Sequence, residues 1–543
     1  MNKKIIIGAA AVIVLAILAY AAFGMGSTHS TERADNELVM AVDIHGGEPE
    51  GGFDPLTGWG SGHQVEPLIQ SRLFRVNENA TIENDAATGY TMAGDAKSME
   101  VKLRDDIKFT DNSTFTAEDV VFTYKAALEN GVIDLSSMED VTAVDDYTVK
   151  FTLNKPDSTF IYKLTQLGIV PSDSYDNATY GEHPVGSGPY KLVQWDKGQQ
   201  AIFEANDDYY GEKPYYKKLT NLFLESDAAF AAAQKGEVDL VELPLSYYNE
   251  TIEGMHAVDY PSIDVRAITL PVVPDEGKTN DAGGVIGNNV TADPAIREAL
   301  NVGINRQAII DGAQYGLGDI SFDGVSTELP YSTGTNFTDG DVDQAKQILE
   351  EAGWKDTDGD GIVEKDGQKA TWELDYPSDD TTRQAVALQF AEQAKAIGLE
   401  VTPEGKTWDE MESTTNTNSI VMAFGSNDPT VIYNELDSEV AAKGMGLNPS
   451  YINNSQVDSY ISQARSQNLE SSYATWANAI KAGQEENGYL WIGSTNYLFF
   501  VSDSLDLSDA TRTIYPHGGD IWGNIYDWKH VDTNSTNDTN SSS

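Results

Sequence analysis

Along most of the chain, apolar positions recur either at every second residue or at the three-and-four spacing of a helix, and the two patterns alternate. Alternation predicts strands in ELVMAVDI (37–44), SMEVKLR (98–104) and YTVKFTL (147–153). Helical spacing predicts a helix in TAEDVVFTYKAAL (116–128), where Thr116 is placed to cap and Asp119 stands in the first turn. In DPAIREALNVGI (293–304), Asp293 caps and Pro294 takes the first helical position, whose N–H has no helical partner to lose. DVDQAKQILEEAGW (341–354) ends on Gly353, a residue suited to a left-handed C-terminal stop. QAVALQFAEQAKAIGLEV (384–401) reads as a helix stopped at Gly398 and followed by a strand. Strands and helices interleaved over this length predict an α/β architecture with more than one lobe.

Three segments depart from those patterns. Lys3 and Lys4 precede an unbroken apolar run from Ile5 to Met25, long enough to cross the ~30 Å hydrocarbon layer as a helix. Residues 1–26 are therefore expected to form an N-terminal transmembrane anchor. The alternative is a secretory signal peptide, with Ala19-Tyr20-Ala21 as a small-x-small cleavage site. Both readings keep the lysines cytoplasmic and export the rest of the chain. Residues 27–36 (STHSTERADN) form a polar linker, and residues 531–543 form a tail too polar to bury anything. Asn-x-Ser/Thr triplets at Asn79, Asn112, Asn177, Asn249, Asn289, Asn336 and Asn453, with three more in the tail, fit a glycosylated cell-surface protein.

Composition narrows the classes. The 543 residues are enough for three or four core-forming units. A net charge of −51 repels phosphate backbones, so nucleic acid is not an expected partner. The absence of cysteine removes disulfides, thiolate nucleophiles, iron–sulfur clusters and a lipidated N-terminal cysteine. HExxH, GxSxG and Walker-type motifs are missing, and no GxGxxG follows a strand, so no catalytic activity is expected. A surface coat or adhesion protein is the rival from another class; it would predict fixed-period repeats, and none is visible.

Six segments, in order, resemble the extracellular solute-binding proteins of family 5, which serve peptide and nickel ABC importers. They are LRDDIKFTDNSTFTAEDVVFTY (103–124), PVGSGPYKL (184–192), NDDYYGEKPYYKKL (206–219), AAFAAAQKGEVDLV (228–241), DPAIREALNVGINRQAII (293–310) and DQAKQILEEAGW (343–354). The resemblance implies a two-lobed periplasmic-binding-protein clamshell (type II, cluster C) with an additional inserted subdomain. Lobe I would comprise residues 37–66, 187–283 and 491–530, the inserted subdomain 67–186, and lobe II 284–490. The hinge would lie near 268–273 and 491–501. It further implies a monomer that carries a small peptide, or alternatively a nickel or other metal chelate, to ABC permease and ATPase subunits at the outer face of the membrane.

The same resemblance supplies ligand-binding candidates. The segment VMAFGSNDPTVIYNEL (421–436) matches a cleft-lining loop, so Phe424, Asn427 and Asp428 are candidates; the alternatives are core packing for Phe424 and a turn-and-cap role for Asp428. The carboxylate that pairs with a peptide's α-amino group in relatives falls on Gly425 or Ser426 here. The arginines and the histidine of nickel-type relatives are missing from the matching stretches 124–135, 160–171 and 428–460. Trp59 and His63 in GWGSGHQ (58–64) and Trp408 in GKTWDEM (405–411) are further candidates, and Tyr315 and Tyr331 are weaker ones. Separately, Asp356, Asp358 and Asp360 resemble the start of an EF-hand calcium loop with Gly361 at its bend, but the twelfth position is Gly367 rather than Glu. A metal-free, solvated hairpin is the other reading, and no other cofactor is expected.

Overall fold

A computed structural model describes residues 33–42, 48–60, 68–77, 79–441, 443–444, 446–508 and 521–532. The expected membrane anchor, His63 and residues 533–543 of the polar tail lie outside these residues. Among the described residues, no helix is long and apolar enough to cross a membrane.

The helix starts follow their caps. Thr116 N donates to Asp119 Oδ2 (2.8 Å) at the head of Ala117–Asn130, and Asp293 Oδ1 accepts from Ala295 N (3.0 Å) before Pro294–Gly303. Asp341 caps Val342–Glu351 through Gln344 N (2.9 Å), and Gly353 takes a φ of 94° past its end. The next helix begins three residues earlier than its spacing predicts, at Thr381–Ala396, because Asp380 Oδ1 accepts from Arg383 N (2.8 Å).

One ten-stranded mixed sheet runs through the molecule. Its order is Glu400–Lys406, Thr371–Pro377, Ser419–Phe424, Met255–Thr269, Tyr489–Ser502, Leu240–Leu243, Glu37–Ala41, Lys218–Leu222, Gln200–Ala205 and Tyr190–Asp196. The two long central strands pair antiparallel, and each belongs to both halves of the sheet. At the Tyr260 end they pack with Phe499 and Val501 in a core shared with Leu38, Met40 and Leu219; at the Val265 end they pack with Met422, Phe424 and Trp491. The changeover is a break in the ladder. Pro261 pairs with Asn496 and Val265 with Ser494, so Ser262, Ile263 and Asp264 together face Thr495. A bulge of this kind bends and twists a strand pair.

On one strand the break, at Ser494–Asn496, falls inside the expected 491–501, but on the other it lies at Pro261–Val265, ahead of the expected 268–273. Ile268 and Leu270 already sit in a lobe II core with Ile296, Leu300 and Phe390, so the segment 268–273 is inside lobe II. The pattern is apolar without interruption from Val265 to Leu270 apart from Arg266 and Thr269, and nothing in it marks a change of core.

A separate core between Leu73 and Tyr180 belongs to a four-stranded antiparallel sheet ordered Ala87–Met92, Ser98–Leu103, Thr148–Leu153 and Met138–Asp145. The helix Ala117–Asn130 backs this sheet through Val120, Tyr124 and Ala127. From it the segment 155–163 reaches across to lobe II.

Candidate functional site: the cleft between the lobes

A cleft of about 940 Å³ lies over the crossing strands. Its lobe I wall is built from Val42, Leu222–Ser226 and Glu242–Leu245, its floor from Thr495–Leu498, and its lobe II wall from Arg266, Pro377, Asp379–Arg383 and Trp408. That volume falls at the upper end of the range for small-molecule sites.

Two buried guanidinium groups set the chemistry of the lobe II wall. Arg266 stands on the crossing strand just past the bulge and donates through Nη1 to Asp264 Oδ2 (2.6 Å), which also accepts from the Tyr497 hydroxyl (3.2 Å). Burial works against the charge on Arg266, but Asp264, with Tyr497 and Asp380 behind it, more than offsets it. Arg383 stands in the first turn of its helix with the exposed ring of Trp408 over its guanidinium at 5.1 Å. Its Nε lies 3.4 Å from Asp380 Oδ2 yet makes no hydrogen bond. Burial, with the neighbouring Arg266 charge added, pulls the Arg383 pKa down to about 10. A guanidinium this desolvated gains from an incoming anion, and its planar fork suits a carboxylate. The opposite wall carries the carboxylates of Glu225 and Glu242.

Of the residues picked from sequence, Trp408 and no other described one lines this cleft. Trp59 is instead packed in the lobe I core, edge-on to Phe53 at 4.7 Å, because turns through Gly58 and Gly60 fold it inward. Phe424 is buried edge-on to Tyr489 (5.8 Å) and Trp491 (5.5 Å), the packing alternative. Asn427 is buried, as is Tyr331, whose hydroxyl donates to Ser426 O (2.6 Å). Tyr315 is exposed away from the cleft lining. Gly425 has a steric reason to be glycine, since a Cβ there would lie 2.7 Å from Asp264 Cα and from Ile263 O. An aspartate at that position would displace the crossing strand.

Asp428 is bonded rather than free. Its Oδ2 lies 3.0 Å from Lys163 Nζ of the inserted subdomain, and its Oδ1 accepts from Thr430 N (2.9 Å). Alongside, Arg465 Nη2 donates to Asp157 Oδ2 (2.8 Å), Ser158 N donates to Arg465 O (2.8 Å), and the Thr159 and Thr430 hydroxyls meet at 3.0 Å. Burial opposes both charges. Arg465 nevertheless holds Asp157 below its ordinary pKa, while Asp428, Asp134 and Asp157 hold Lys163 above its own. These contacts form a charged latch joining the inserted subdomain to lobe II. The stretch 160–171 has no arginine but carries Lys163, and Arg383 stands one residue before the apolar periodicity that marks its helix.

The acidic turn gathers Asp356, Asp358 and Asp360 with a fourth carboxylate, Glu364, all within 4.8 Å of one another. Lys369 reaches in to pair with Asp358 (3.4 Å) and Asp360, so a side-chain ammonium already supplies positive charge there.

Two α/β lobes on one sheet, joined by a bent strand pair and enclosing a ligand-sized cleft, define a type II solute receptor of the clamshell class. The chain belongs to the bacterial extracellular solute-binding proteins, family 5, whose middle-region model matches residues 81–439. It is 31% identical over 508 residues to Protein XP55 of Streptomyces lividans, covering 90% of each chain. The structure of the oligopeptide-binding protein AppA of Bacillus subtilis with a nonapeptide superposes with a TM-score of 0.71 at 24% identity, covering 91% of this chain and 99% of that one. The structure of NikZ from Campylobacter jejuni with Ni(L-His) does so with a TM-score of 0.73 at 23% identity, covering 92% and 100%.

Proposed function

We propose that the chain is the extracellular receptor of an ABC importer, that it captures small peptides between its lobes, and that it delivers them unaltered to a membrane permease. The observation that carries this reading is the charge layout of the cleft: the desolvated Arg383 under Trp408, with Arg266 and Asp380 near it, on one wall, and the carboxylates of Glu225 and Glu242 on the other. A zwitterionic peptide satisfies both walls, with its carboxylate on Arg383 and its ammonium toward Glu225 and Glu242. The apolar run at residues 5–25 would hold the receptor near its permease and raise their effective concentration. Mass spectrometry of small molecules released on denaturation tests the ligand class. Arg383→Met should then weaken a free-acid tripeptide by about tenfold or more and leave its C-terminal amide little changed. Equal loss for acid and amide would count against the assignment.

A metal chelate is the second reading, because the same arginine pair also suits the carboxylates of a chelator, and the structurally similar NikZ was solved with Ni(L-His). Metal analysis of the released material decides between the two.

A further inference from the structure

Lobe II contains a second cavity that shares no lining residue with the cleft. It holds about 100 Å³ and is walled by Tyr489 and Trp491, stacked at 4.8 Å, and by Phe322 and Phe337, whose ring centroids are 4.3 Å apart. Glu435, from the helix Thr430–Leu436, lines it at 1% exposure, and its Oε1 has neither solvent contact nor a hydrogen-bond partner. Gly324 passes so close that a Cβ would come within 2.7 Å of Glu435 Oε2 and 2.6 Å of the Trp491 ring. The nearby guanidinium of Arg306 is committed to Asn301, Asp339 and the carbonyl of Trp491. A neighbouring carboxylate, Asp323, is also buried and accepts from Val325 N and the Thr333 hydroxyl. Burial, with the Asp323 charge added, pushes the Glu435 carboxyl far above the ordinary carboxylate range. A buried carboxyl oxygen that accepts from nothing is unusual, since buried polar groups are normally hydrogen-bonded.

A shallower depression of about 330 Å³ shares Phe322, Thr335 and Phe337 with this chamber and gives an approach from the surface, where Phe337 is exposed. The amide oxygens nearest to hand are already used: Asn301 Oδ1 accepts from Arg306 and Gln484 Oε1 from Thr335. A calcium-like ion would want six or more oxygens and would find too few here. The Arg306 guanidinium already lies over the Phe322 and Phe337 rings, at 4.7 and 5.2 Å, which leaves the Tyr489 and Trp491 rings beside the Glu435 carboxyl to suit an organic cation.

We propose that this chamber binds a small organic ammonium ion, its nitrogen on Glu435 and its carbon substituents against Tyr489 and Trp491, independently of the ligand in the cleft. The test is calorimetry and thermal melting of the full chain with methylammonium chloride, using sodium chloride at equal concentration as the control. Methylammonium should bind saturably and raise the melting temperature beyond sodium. Glu435→Gln, which keeps the shape of the side chain, should weaken it by about tenfold or more while peptide binding in the cleft stays unchanged. Gly324→Ala, whose added Cβ projects at Glu435 and Trp491, should do the same. An equal response to sodium, or methylammonium binding that survives both substitutions, would overturn the proposal.

Discussion

Lys163→Met removes one half of the ion pair that joins the inserted subdomain to lobe II. In the closed arrangement Asp428 would then be left at 2% exposure with its charge unmatched. Breaking a buried pair from one side costs about 3–5 kcal/mol, most of it the desolvation of the abandoned charge. If the lobes separate, water reaches Asp428 and the penalty disappears. The cost therefore falls on the closed form alone, and ligand affinity should drop by about a hundredfold or more at 1.4 kcal/mol per decade. Stability of the open form should barely change. Titration calorimetry with a tripeptide, alongside melting of the free protein, reads both quantities. Lys163→Met combined with Asp428→Leu replaces the pair by apolar groups and should recover most of the affinity. Unchanged affinity with a melting temperature lowered by several degrees would show that the contact is fixed packing, and the latch reasoning would fail.

Gly425→Ala should cost about 1–3 kcal/mol in urea unfolding, because its Cβ meets the backbone of Ile263 and Asp264; a neutral result would mean that the bulge yields easily. The latch should hold over a wide pH range. Asp157 is depressed in the folded chain, so its contribution is present above the ordinary value of 3.8 and is lost as pH falls through the lower folded value. Lys163 is raised, so its contribution is present below 10.5 and is lost as pH rises through the higher folded value. Affinity measured from about pH 5 to about pH 9 should therefore be flat as far as the latch is concerned, and a step near neutrality would contradict it. Because Lys369 already pairs with Asp358 and Asp360, chelator should leave the melting curve unmoved; a large drop would put a metal ion in that turn instead.

Local features of the fold were readable from the sequence because they depend on neighbours in the chain. Thr116, Asp293 and Asp341 cap where their spacing places them, and Gly353 and Gly398 adopt the left-handed stops that glycine allows. Destinations of single aromatic side chains were not readable in the same way. Trp59, Phe424 and Trp408 look alike as residue types beside glycine or polar neighbours. Long-range packing on Phe53 and Trp491 buries the first two, while Trp408 stays half out over Arg383. Arg383 and Lys163 went unnoticed for a related reason. Each is one cation among 35, and its importance comes from partners up to 265 residues away in the chain, as with Lys163 and Asp428. The crossing on the first strand lies at Pro261-Ser262-Ile263-Asp264, where a proline and two polar residues do break the apolar pattern, whereas 268–273 is apolar because it belongs to the lobe II core.

The two lobes are expected to close on a guest over the bend at Pro261–Val265. Small-angle scattering of the purified chain, first stripped of ligand and then saturated with a peptide recovered from it, addresses this directly. A smaller radius of gyration on saturation, with the peptide recovered intact afterwards, is the expected result. A profile unchanged by a peptide shown to be bound, or a peptide recovered cleaved, would contradict the account.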